Sequence, residues 1–278
     1  MPPLDKHSSL EIVKALFLGN PGSGKTGALT ALVAAGYKVR VFDFDNLLGT
    51  LASYVQKTCP DKIGNVAYQT FTDKMKGNEN PILMIGGRAD VQGFNDGIPT
   101  AFVGALKQLN HWKVTDKETG EVEDFGNPGT WGPECVLVID SLTSMAMSAY
   151  RYAKAMNPAA KEGQTHYFSA QQMVMNLLYL LGAEQFKTNV IVIAHIDYKE
   201  DHNNITKGFP RSIGSALNTQ IAGVFNCVLM AEQIGSKKQI RTNSTGIVDL
   251  KNPVAFKVAD VLPLETGLAD FFKEVTSK

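Results

Sequence analysis

The segment Gly19-Asn20-Pro21-Gly22-Ser23-Gly24-Lys25-Thr26 fits G-x-x-x-x-G-K-[ST] and follows the apolar run Ile12 to Leu18. It reads as a phosphate-binding loop. Such a loop turns its backbone N–H groups inward around a di- or triphosphate, and glycines at 22 and 24 remove the Cβ atoms that would obstruct close approach. Lys25 then neutralises the terminal phosphates and Thr26 offers its hydroxyl to Mg²⁺. A strand pattern enters the loop, and a helical pattern leaves it through Gly27, spanning Thr26 to Ala35 with Gly36 as its stop. The N-terminus of that helix adds orphan N–H groups and partial positive charge to the anion site.

A loop of this kind constrains the remainder of the chain to an α/β architecture, and the patterning agrees. Short apolar runs at Ile12–Leu18, Lys38–Phe42, Cys135–Ile139, Val190–Ala194 and Phe225–Ala231 read as strands of a mostly parallel sheet flanked by helices. A final pair, Lys238–Thr242 and Ala255–Val258, reads as antiparallel C-terminal additions. Helical spacing recurs from Ala101 to Trp112 and again from Phe168 to Phe186, where Met173 and Met175 belong to the packing stripe. Two segments stand apart. Lys113 to Glu134, rich in Gly, Pro, Asp and Glu, reads as an exposed excursion; Tyr198 to Leu217 is polar and follows a buried strand, where α/β proteins keep functional loops.

The 278 residues are read as a short tail, residues 1–10, and a single domain over 11–278. With 27 basic and 27 acidic residues the net charge is zero, so no global field recommends a nucleic-acid partner and any such contact must be local. Cys59, Cys135 and Cys227 lie far apart without metal-ligand spacing, which suits a reducing compartment. No apolar run reaches the roughly 18 residues of a membrane span, and the expectation is a cytoplasmic protein with no membrane partner.

The loop calls for a second carboxylate that holds the metal through water, at the end of an apolar strand. Cys135-Val136-Leu137-Val138-Ile139-Asp140 supplies it, with Ser141 next. The N/T-K-x-D base-reading pattern of GTPases is absent, which speaks against a GTPase.

With these motifs in their order, the chain resembles a RecA-like P-loop ATPase, and among those the compact bacteriophage ATPases of single-strand annealing and recombination. The likeness covers Glu11 to Val275. It rests on the glycine loop, Asp43-Phe44-Asp45, Ile139-Asp140-Ser141, Val192-Ile193-Ala194-His195 and the run Arg241 to Gly246. The resemblance implies a catalytic base at the end of the second strand, where Asp45 stands and Asp43 is the alternative. Members of the class usually carry a glutamate there, one methylene longer. It implies a γ-phosphate sensor at His195, against a plain structural histidine. It implies a DNA-binding loop over Tyr198 to Leu217, with Lys199, Lys207, Phe209 and Arg211 suited to phosphate contacts and stacking; a plain lid or subunit-contact loop is the alternative. Lys154 to His166 is a weaker second candidate for DNA. Arg241, with Lys251, stands where related ATPases project a cation into a neighbour's site, the alternative being a solvated surface cation.

The reading is therefore a Mg²⁺-dependent ATPase that couples nucleotide state to single-stranded DNA binding and self-assembly as a homo-oligomer in phage-type recombination or annealing. A single-strand-binding or replication protein is a further expected partner, and a phage-encoded chain would act in a bacterial cytoplasm. Two alternatives stand beside it: a replication loader or switch that hydrolyses little, and a small-molecule kinase. The kinase would need arginines converging on two substrates, whereas Arg40, Arg88, Arg151, Arg211 and Arg241 are dispersed.

Overall fold

The apolar run before the glycine loop forms β1, Lys14–Gly19, with every residue buried. In the computed structural model, which describes residues 10–73, 99–116, 118–160, 163–200 and 203–276, it is followed by two short helices, α1 (Lys25–Ala28) and α2 (Thr30–Ala34). The expected tail lies outside the described residues apart from Leu10, as do Arg88 and Asp201. Next come β2 (Lys38–Asp43), α3 (Gly49–Thr58), β3 (Val66–Thr70), α4 (Ala101–Asn110), β4 (Trp112–Thr115), β5 (Val122–Gly126), β6 (Cys135–Asp140) and α5 (Leu142–Met156). The chain continues through α6 (Gly163–Gly182), β7 (Asn189–Ala194), β8 (Ile196–Glu200), β9 (Thr206–Pro210), α7 (Ser215–Ile221), β10 (Cys227–Ile234), β11 (Lys237–Arg241), β12 (Val261–Pro263) and α8 (Gly267–Thr276).

Eight strands form one sheet in the order β12-β11-β10-β1-β7-β6-β2-β3. From β10 to β3 all neighbours are parallel; β11 and β12 add antiparallel. β1, β6 and β7 are buried along their whole length because helices cover both faces, which is why their sequences read as unbroken apolar runs instead of alternating ones. Alternate side chains feed opposite cores. Leu16, Leu18, Leu137, Ile139, Val190 and Val192 pack against α4, α5, α6 and α7, whereas Ala15, Phe17, Val136, Val138, Ile191 and Ile193 pack against α1, α2, α3 and α8. Each such aliphatic or aromatic side chain removed from water is worth about 1.5–3 kcal/mol before entropy is counted. On α6 the stripe Ala170, Val174, Leu177, Leu178 and Leu181 has helical spacing and is buried, with Met175 buried beside it. No described helix is long and apolar enough to cross a membrane.

The sheet differs from the sequence expectation in its outlying parts. Ala255–Val258 is not a strand: after Pro253 the chain makes a turn in which Val258 N donates to Val254 O at 3.1 Å, and both valines drop into the α8-side core. The strand that pairs with β11 is β12 instead. The excursion Lys113–Glu134 is largely exposed, as expected, but it is anchored, because β4 and β5 form a hairpin. Trp112, fully buried and part of β4 instead of the preceding helix, sits 4.9 Å from Phe125 and 5.5 Å from Trp131. Tyr198 to Leu217 is a hairpin, β8–β9, leading into α7 instead of an irregular loop.

Register then fixes what meets at the carboxyl ends of the strands. Asp43 lies opposite Asp140, Asp140 opposite Ile193, and Leu18 opposite Ala194. His195 and Gly19 are therefore each one residue past a paired position. β10 lies on the other side of β1, so the crevice above β1 is also where strand order reverses, the place where open α/β sheets hold ligands.

Candidate functional site

Gly24 adopts φ +96°, a left-handed conformation that glycine accepts without penalty, and a Cβ there would strike Leu264 Cδ2 at 2.5 Å. Gly27 packs beneath the Tyr54 ring, where a Cβ would come within 2.9 Å. The left-handed φ calls for glycine at the loop's turn, whereas at the exit a Cβ would require the partly exposed Tyr54 ring to shift. Lys25 is buried, and its Nζ donates to the carbonyls of Gly19 (2.8 Å) and Asn20 (3.0 Å) while lying 3.4 Å from His195 Nδ1. Burial pulls its ammonium down to about 8, partly opposed by the negative charges of Asp140 and Asp45. In the same loop Ser23 Oγ is buried with no hydrogen-bond partner among the described residues, and Ser23 N donates to Asn20 O. Pro21 and Gly22 complete the turn between them. A buried, unpaired hydroxyl beside an ammonium that loop carbonyls hold in the same cradle fits an anionic ligand.

Thr26 Oγ1 donates to Asp140 Oδ2 at 2.7 Å, joining the loop helix to the end of β6 although β7 lies between β1 and β6. Asp140 is 5% exposed, and burial raises its carboxyl to about 6. The charges of Asp45 and Asp43 push it the same way, and the Thr26 hydroxyl and Lys25 oppose them. Mg²⁺ bound with a nucleotide suits one hydroxyl and one carboxylate, since this ion keeps waters and phosphate oxygens as its remaining ligands. Among the described residues no group of three His, Cys, Asp or Glu side chains could hold a metal ion by itself.

The two aspartates of the second strand have different surroundings. Asp43 is buried and spent: Oδ1 accepts from Asp45 N (3.1 Å) and Asn46 N (2.8 Å), and Oδ2 accepts from Thr70 Oγ1 (3.1 Å). It shapes the turn, in which Asn46 takes φ +56°. Asp45 is half-buried, accepts from Ser141 Oγ at 3.1 Å, and is close enough to act on Lys25, Asp140 and His195. His195 follows β7. Burial and then the Lys25 charge hold its imidazole below the usual range, while Asp45 and a hydrogen bond to Gly19 act the other way. It is therefore neutral at neutral pH.

Ser141, which the sequence marks only as the residue after Asp140, has two contacts here: it donates to Asp45 and accepts from Ser144 N at 3.5 Å as the N-cap of α5. A serine immediately before an apolar helical run was the signal for the cap. Nothing local signalled Tyr54, Leu264 or Lys238 beside the loop.

The outlying expected residues are not brought into this cluster. Arg241 Nη2 lies 2.7 Å from Glu232 Oε1, which also accepts from Arg241 Nε (2.9 Å) and Gln239 Nε2 (2.7 Å). Lys251 is exposed, but its Nζ donates to the carbonyls of Ala222, Gly223 and Phe225, so it is a structural clamp and not a projecting cation. On the β8–β9 hairpin, Lys199 and Lys207 face each other across the strands. Each is offset by an aspartate, Asp197 at 3.7 Å and Asp249 at 3.5 Å. Phe209 shares that face and is half-buried; Arg211 is exposed. Its backbone N donates to His195 O at 2.7 Å, and its charge is among those that act on the imidazole. In the second DNA candidate, Lys154 to His166, residues 161–162 lie outside the described residues and His166 is buried in α6. The remaining described arginines are engaged far apart, Arg40 with Asn65 O at 2.8 Å and Arg151 with Asp73 at 3.1 Å.

A family model described as an AAA domain matches residues 12–254. No curated protein matches the chain. Among solved structures it is similar to a prototypical ATPase from the type III secretion system of pathogenic bacteria, at 11% identity and a TM-score of 0.39, over 80% of this chain and 53% of that one. The chain thus spans about half the length of that structure's chain.

Proposed function

The chain belongs to the AAA-domain family, and from that premise we propose that it is a Mg²⁺-dependent ATPase working through the residues gathered above β1, β7, β6 and β2. One observation carries the reading: the 2.7 Å contact of Thr26 Oγ1 with Asp140 Oδ2, with Lys25, Asp45 and His195 around it. Mg²⁺, when bound with ATP, draws charge from the β- and γ-phosphate oxygens. Backbone N–H groups of the loop Gly19 to Gly27, in which Pro21 has none to give, orient the phosphates, and Lys25 neutralises the terminal ones. Asp45 accepts the proton of the attacking water, whose oxygen bonds to the γ-phosphorus as the bond to the β,γ-bridging oxygen breaks. Ser141 holds that carboxylate in place; Asp43, with both oxygens occupied, supports the turn instead. Neutral His195 senses the γ-phosphate and passes its position to the β8–β9 hairpin through the carbonyl bonded to Arg211 N.

The finer reading is that the hairpin contacts single-stranded DNA through Lys199, Lys207, Phe209 and Arg211, in phage-type recombination or annealing, within a homo-oligomer whose Arg241 serves a neighbour's site after leaving Glu232. A second reading has its own support, since the offset charges of Lys199 and Lys207 leave the hairpin weakly basic. In it, the chain is a nucleotide switch that docks a single-strand-binding or replication protein and hydrolyses slowly. Turnover of ATP with and without single-stranded DNA separates the two. Stimulation by DNA supports the first, and turnover indifferent to DNA supports the second. Lys25→Ala should abolish nucleotide binding; normal turnover by that variant would refute the site itself.

A further inference from the structure

The two sides of the phosphate loop differ in chemistry. Asp45, Asp140 and His195 all arrive from β2, β6 and β7, on one side of β1 in the sheet. On the opposite side stand Lys238, from β11, and Leu264, which follows β12. The stem of Lys238 lies against the loop itself: a Cβ on Gly24 would come within 3.3 Å of Lys238 Cδ. This lysine is half-buried, and among the described residues its ammonium has neither a hydrogen bond nor an ion pair. The two buried lysines among the described residues are satisfied, Lys14 by carbonyls and Lys25 by the loop. An unpaired ammonium held against a phosphate cradle by its own aliphatic stem, with an apolar wall at Leu264 next to it, is oriented for a ligand's negative charge.

We propose that Lys238 is a second cationic contact for the bound nucleotide, made to the phosphate nearest the nucleoside, so that it strengthens binding of diphosphate and triphosphate alike. The proposal rests on the reading of the loop as a nucleotide site. The γ end is fixed by the proton acceptor Asp45 and the metal pair Thr26 and Asp140. A phosphate chain that starts from those groups and crosses the loop would bring its nucleoside end toward β11 and Lys238. Lys25 and Lys238 thus divide the work: one answers to the terminal phosphates, the other is indifferent to whether the γ-phosphate is present.

Lys238→Met keeps the stem over Gly24 and removes only the charge. Calorimetric titration with Mg-ADP and Mg-ATP should show both affinities falling by a similar factor, about tenfold, the size expected for one charged hydrogen bond. Binding to the variant should also weaken less steeply with added KCl than binding to the wild type, a change that loss of a packing contact would not produce. Lys238→Arg should restore most of the affinity. Unchanged affinities in Lys238→Met, or a loss confined to ATP, would overturn the assignment of Lys238 while leaving the loop reading intact. A wild-type protein that bound neither nucleotide would overturn both.

Discussion

Replacing Asp140 by asparagine should make the ligand-free protein more stable while destroying its response to Mg-ATP. Asp140 ionises at 3.8 in an ordinary setting but at about 6 in the fold, because it is buried beside two other carboxylates. A carboxyl whose folded value is raised contributes stability that is fully present below the unfolded value and lost as pH rises through the folded one. At 1.36 kcal/mol per pH unit, the gap between 3.8 and about 6 means that the charged carboxylate costs the fold about 3 kcal/mol at pH 8 and about half of that at pH 5. Asparagine keeps the planar shape and an oxygen for the Thr26 hydroxyl, and it carries no charge at either pH. Urea unfolding in EDTA without nucleotide, at pH 5 and pH 8, reads the difference directly. The variant should exceed the wild type at pH 8, and its lead should shrink by about half at pH 5. A gap of the same size at both pH values would refute the electrostatic argument. Adding Mg-ATP should raise the wild-type midpoint by mass action and leave the variant's unmoved; an equal rise in both would refute the metal role of Asp140.

Asp45→Asn should lower ATP turnover with nucleotide affinity retained, whereas Asp43→Asn should act mainly on stability, costing about 1–3 kcal/mol as buried bonds to the turn are lost; the reverse pattern would exchange their roles. For Arg241→Ala, mixing with wild-type protein is the informative measurement. A trans role predicts that activity falls with the fraction of variant subunits in the assembly, and simple additivity of the two proteins would exclude it. Lys14, buried on β1 with Nζ donating to Phe186 O (2.6 Å) and Thr188 O (2.8 Å), is pulled by burial, and secondarily by Lys187, from 10.5 to about 7. Between those values the unfolded chain binds the extra proton, so stability should rise with pH, by about 2 kcal/mol from pH 7 to pH 9. Lys14→Met should lose that increment, and a wild-type-like pH dependence in the variant would contradict it.

Much of the fold was written in short stretches of sequence. The loop glycines, the unbroken apolar runs of β1, β6 and β7 and the acid that closes β6 each express a constraint among near neighbours: left-handed φ, burial on both faces, the end of a strand. Local pattern also led to the wrong last strand, because Val254 and Val258 are apolar whether they sit in a strand or four residues apart in a turn. What composition and spacing left open was pairing. Asp43 and Asp45 are indistinguishable as letters, and only the register of β2 against β3 and β6 gives Thr70 to one and leaves Ser141 for the other. The partners of Arg241, Lys251 and Lys238 were equally silent. Glu232, opposite Gln239 in the β10–β11 pairing, reaches Arg241 on the diagonal, three distant carbonyls hold the Lys251 ammonium, and β11 carries Lys238 more than two hundred positions along the chain to Gly24. The sequence by itself determined that a phosphate cradle stands at the end of a buried strand in an α/β sheet. Strand order and register decided which charges face that cradle and which are spent elsewhere, because a side chain's partner is chosen by packing between segments that have no local knowledge of one another.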